Sequence, residues 1–102
     1  MKTELLTQRD NYLSTAREMQ MRANQARAKA RKEYGAASDP SGMNPYPISG
    51  GVCDHWPREV SDTVIAFVHA KQVAISAALE CHKKAGCRTH TFRRILSEIH
   101  HL

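Results

Sequence analysis

Apolar side chains recur at α-helical intervals in three segments of the chain, and a stretch with no period separates the first from the second. From Thr3 to about Tyr34 there is neither Pro nor Gly, and Leu5, Tyr12, Ala16, Met19, Ala23, Ala26, Ala30 and Tyr34 form one stripe. After the first gap the steps are four, three, four, three, four and four, which is the spacing of an amphipathic helix with a heptad-like seam. At about 1.5 Å per residue such a helix is about 48 Å long. That exceeds the width of so small a domain, so one end is expected to project or to pack against another chain, as in a homodimer through this helix.

Residues 35–56 carry Gly35, Pro40, Gly42, Pro45, Pro47, Gly50 and Gly51 among Ser and Asn. They read as a long loop or crossover. Pro57 then suits the first turn of a second helix, over about 57–85, where its missing N–H is harmless. Val60, Val64, Ile65, Phe67, Val68, Val73, Ile75 and Leu79 surround this helix, and polar residues keep to a strip of His69, Gln72, Ser76, Glu80 and Lys83. So apolar a girth predicts the buried centre of the fold. Gly86, after Lys83-Lys84-Ala85, is a helix stop. A third helix, about 89–101, places Phe92, Ile95, Ile99 and Leu102 inside and Arg93, Arg94, Glu98 and His101 outside. The expected fold is a single all-α domain: a long N-terminal helix, a Gly/Pro-rich loop, a buried central helix and a short C-terminal one.

Composition changes this picture only in part. The 102 residues are enough for one modest core. Six aromatics leave that core to Ala, Val, Ile, Leu and Met. The net charge of +5 favours an anionic partner without specifying a fold. Three cysteines are an odd number, so a reducing, cytoplasmic setting is expected. The early Gln8, Arg9 and Asp10 interrupt any apolar run, so no signal peptide is expected. The stretch Val64 to Leu79, broken by His69, Lys71 and Gln72, reads as too short and polar to span a bilayer.

Three groups of residues could carry function. The first is the turn Ala85-Gly86-Cys87 with Thr91-Phe92 and Ile95-Leu96, which has the apolar rhythm of a helix-turn-helix. Arg88, Thr89, His90, Arg93 and Arg94 would then line the start of a DNA-reading helix. The string Ala-Gly-x-x-x-x-Thr-Phe resembles the turn of tetracycline-repressor-type regulators over about a dozen residues. His82 stands where that turn has a small residue, four before the glycine. The same pattern also fits an ordinary helical hairpin with a solvated basic face.

The second group is a candidate zinc site, in which Cys87-x-x-His90 would be closed by Cys53-x-His55 from across the chain. The alternative for each cysteine is a small buried hydrophobe. The third is the run from Arg17 to Lys32, where Arg17, Arg22, Arg27, Lys29, Arg31 and Lys32 face only Glu18. Such a run can grip phosphates or an acidic protein groove, or simply be a solvated face.

No phosphate loop, carboxylate pair or nucleophile–base arrangement stands out, so a binding protein is expected rather than an enzyme. The favoured reading is a small basic accessory protein that docks on and modulates a larger protein, with nucleic-acid-handling machinery the expected partner class. Arg17, Arg22, Arg27 and Arg31 would meet the partner's charge, and exposed Tyr46, Ile48 and Trp56 would be its anchors. A DNA-binding regulator and a zinc-stabilised interaction module are the alternatives.

Overall fold

A computed structural model describes residues 2–35, 52 and 55–102. Among them the chain forms a small all-α bundle of three helices: α1 (Lys2–Tyr34), α2 (Arg58–Lys84) and α3 (Thr89–His100). The two long helices make an antiparallel hairpin, since Gln8 meets Cys81, Gln20 meets Lys71, and Ala30 packs with Val64. Ala16, Ala23 and Ala30 are buried along the seam. Side chains this small let the two backbones approach closely but bury little area each, which explains why the hairpin must be long.

The core has two parts. At one end Leu13 and Ala16 of α1, Ala74 and Ala78 of α2, and Phe92 and Ile99 of α3 form a cluster. Ile75, Leu79, Ile95 and Leu96 pack around it. At the other end Ala30, Val52, Trp56 and Val64 form a second cluster without α3. Thus α3 covers only part of one side of the hairpin.

This arrangement revises several expectations. Leu13 and Gln20 are buried while Tyr12 and Tyr34 are exposed, because α1 faces both α2 and α3 and its buried sector is turned toward the pair. The α1 seam is occupied by α2 of the same chain. Nor is α2 buried all round. Its polar strip is exposed as expected, but so are Ile65 and, at 55%, Val73. Leu102 is exposed as well, beyond the last turn of α3. By length and composition alone α2 could cross a membrane, so the expectation drawn from Val64 to Leu79 is corrected on that point.

Both helix ends are closed by glycine in the left-handed region. Gly35 (φ 86°) donates its N–H to the Arg31 carbonyl at 2.9 Å, and Gly86 (φ 80°) to that of Lys83 at 2.9 Å. After Gly86, the Cys87 N–H reaches the His82 carbonyl at 3.2 Å. These two bonds form a Schellman cap, which turns the chain sharply into α3.

Candidate functional surfaces

The α2–α3 corner is built around His82. Its ring is fully buried and lies 5.2 Å from the Phe92 ring, centroid to centroid. Nη1 of Arg9 on α1 lies 3.1 Å from Nδ1, and the Arg88 carbonyl lies 2.8 Å from Nε2. A guanidinium can only donate, so Nδ1 accepts and the ring proton sits on Nε2, donating to Arg88. One side chain therefore joins α1, the end of α2 and the entrance to α3. The residue that departs from the regulator-like turn is the one that holds this corner.

Beyond that corner, Arg88, Thr89, His90, Arg93 and Arg94 are all exposed. None of the three arginines makes an ion pair among the described residues. Nearby, Lys84 is paired with Glu80 at 3.3 Å. At about 100° per residue, Arg93 and Arg94 leave α3 on two sides of an outward ridge that carries His90 and Ser97 between them. The buried Phe92 and Ile99 point the opposite way.

The basic run on α1 does not form one patch. Arg17, Arg27 and Arg31 lie on the flank toward α3, whereas Arg22 and Lys29 lie on the other. Arg22 is bound to Glu18 at 2.7 Å. Arg27 is partly buried and donates to Asn24 Oδ1 at 3.1 Å. Burial, and then the nearby Arg31, lowers its pKa.

Asn24 belongs to a polar layer that ties the helices together. Gln20, buried, donates to Asn24 Oδ1 at 2.9 Å and accepts from Lys71 Nζ at 2.6 Å. Asn24 also donates to the Leu102 carbonyl at 2.8 Å. Lys71 Nζ lies 2.8 Å from His100 Nδ1. Desolvation and the Arg27 charge lower the pKa of Lys71. Desolvation, Lys71 and then His101 lower that of His100.

On the face of the hairpin away from α3, a shallow furrow of about 340 Å³ runs between α1 and α2. Tyr12 and Thr15 form one wall, and Ala70, Val73, Ala74 and Ala77 form the other wall and the floor. Tyr12 is 42% exposed, a large apolar surface left open to solvent.

The expected aromatic anchors fare differently. Trp56 is only 4% exposed, and its Nε1 donates to the Gly35 carbonyl at 2.8 Å. It is a core residue closing the end of α1, which corrects its reading as an exposed anchor. Tyr46 and Ile48 lie outside the described residues, as does Cys53. His55 Nε2 points at the carbonyls of Tyr34 (2.9 Å) and Gly35 (3.2 Å). It therefore sits at the Tyr34 end of α1, whereas Cys87 and His90 follow the His82 corner near Arg9. Those two places are about 37 Å apart along α1, so one zinc ion cannot take ligands from both. Among the described residues no three His, Cys, Asp or Glu side chains gather as a metal site. No protein family, characterised protein or solved structure matches this chain.

Proposed function

We propose that the protein is a non-enzymatic docking module that binds an amphipathic helix of a larger protein in the α1–α2 furrow and modulates that protein by occupying it. The observation that carries this reading is the exposed apolar furrow of Tyr12, Ala70, Val73 and Ala77 on a hairpin whose other side α3 partly covers. A helix laid in an apolar groove is a recurring recognition mode, and an alanine floor allows close approach. The apolar wall from Ala70 to Ala77 is about 10 Å long. That suits a few turns of one helix better than a second copy of the chain, since stable dimers bury about 800 Å² per partner. The partner class we favour is nucleic-acid-handling machinery, because docking through the furrow leaves the basic ridge of α3 facing outward.

Site-specific photocrosslinking in the source cell tests this. A crosslinker at Val73 is expected to trap one defined protein, and Ala70→Glu in the same chain should abolish the adduct. A crosslinker at Ser76, on the polar strip, should trap far less. Equal trapping from both positions, or adducts only with the chain itself, would overturn the reading.

A further inference from the structure

The polar ridge of α3 has no part in the furrow, lying on the side of the bundle away from it. We propose that this ridge binds duplex DNA, with α3 lying in the major groove and Arg93 and Arg94 reaching phosphates on its two sides. Three features of the exposed surface select this partner. The cations Arg88, Arg93 and Arg94, which make no ion pair among the described residues, are guanidinium groups, which bind phosphate oxygens in pairs of hydrogen bonds. His90 and Ser97 stand between Arg93 and Arg94, with Thr89 beside Arg93, polar side chains able to donate to phosphate or base edges; Glu98, beyond Arg94, is the one exposed carboxylate of α3. No Phe, Tyr or Trp is exposed on the ridge to stack on single-stranded bases, and no large apolar residue to enter a lipid surface.

The geometry agrees with that selection. A major groove about 12 Å wide admits one helix, and arginines about 100° apart on that helix diverge toward the two strands. The deep, narrow major groove of duplex RNA does not admit it. His82 is the positioning residue. By fixing the Arg88 carbonyl and packing on Phe92, it sets the direction in which α3 leaves the turn.

The test is fluorescence anisotropy with a labelled 20-base-pair DNA duplex of arbitrary sequence, titrated with the full chain at 50 and 200 mM salt. Binding is expected to weaken steeply with salt. Replacing Arg93→Ala with Arg94→Ala should weaken it more than tenfold at 50 mM and flatten the log–log salt slope by about 1.8, or about 0.9 per lost phosphate contact. Both residues are exposed and alanine favours helix, so the circular dichroism spectrum should not change. Arg22→Ala with Lys29→Ala, on the far flank of α1, should change affinity less than about twofold.

Several results would overturn the proposal: no binding at 50 mM salt, equal losses from both double variants, equal affinity for duplex RNA, or binding to phosphatidylserine vesicles but not to DNA. The furrow variant Ala70→Glu should bind DNA normally, so failure of the docking reading and failure of this one are distinguishable.

Discussion

His82 and Arg88 are joined across the α2–α3 turn, the buried imidazole donating from Nε2 to the Arg88 carbonyl at 2.8 Å. That carbonyl also accepts the Thr91 N–H at 3.2 Å, the first hydrogen bond of α3. The start of the third helix is thus fastened to the end of the second by a side chain that Arg9 fastens to the first. Phe92 and the glycine cap complete the joint at the start of α3, while Ile99 in the core and the Asn24–Leu102 and Lys71–His100 hydrogen bonds hold its far end.

His82→Leu is expected to separate packing from hydrogen bonding at this joint. Leucine restores most of the buried volume but leaves Arg9 Nη1 without its acceptor, while Nε and Nη2 keep Asp10, and leaves the Arg88 carbonyl without one donor. Urea denaturation should show a loss of about 1–3 kcal/mol, the cost of unmaking buried polar partners. His82→Ala, which also opens a cavity beside Phe92, should lose about 2 kcal/mol more. Faster amide exchange confined to α3 would accompany both. A neutral His82→Leu would mean that shape alone holds the corner.

Gly86→Ala is expected to cost about 1–2 kcal/mol for backbone reasons alone. A methyl group there would meet nothing within 4 Å, yet φ is +80°, where an L side chain is strained. Gly86→Asn, which tolerates that region better, should recover part of the loss in a thermal melt.

Trp56 is the single tryptophan, so its fluorescence reports the end of the hairpin far from α3. Burial predicts a blue-shifted emission that moves red on unfolding. Trp56→Phe keeps a ring in the Ala30–Val52–Val64 cluster but loses the bond to Gly35, and should cost about 1 kcal/mol. Trp56→Ala should cost about 3–5 kcal/mol. An emission maximum already at the solvent-exposed position in the native protein would contradict its placement.

The helices and their order could be read in the sequence because periodicity, proline and glycine act locally. What could not be read depends on neighbours. The stripe on α1 is what one packing partner would require, whereas Leu13 and Gln20 are buried because α3 adds a second. A cluster of cations in sequence carries no direction around the helix, so the run from Arg17 to Lys32 divides between two flanks. Trp56, at the end of a Gly/Pro-rich stretch, looked like an anchor in a loop. The signal that places it inside is the glycine ending α1, whose carbonyl needs a donor. His82 stood out only as a misfit to a turn motif. A buried polar residue beside a helix-ending glycine was the clue to its role.

The Lys71–His100 contact predicts the sign of a pH effect. Lys71 donates from Nζ, so His100 Nδ1 accepts and the imidazole is neutral in the folded chain. Desolvation, Lys71 and His101 hold its pKa below the ordinary 6.5, and Arg27 adds positive charge around Lys71. Above about pH 6.5 the ring is neutral in both folded and unfolded chains and contributes no slope. As the pH falls below that, the unfolded chain takes up the proton first, so folding is progressively disfavoured until the folded pKa is passed. Stability from urea denaturation should therefore decline between pH 7 and pH 5, and more shallowly in His100→Asn, whose amide oxygen can still accept from Lys71. His100 is largely solvated, so the difference should be small. A steeper decline in His100→Asn than in the parent would reverse the assignment of Lys71 as donor and His100 as acceptor.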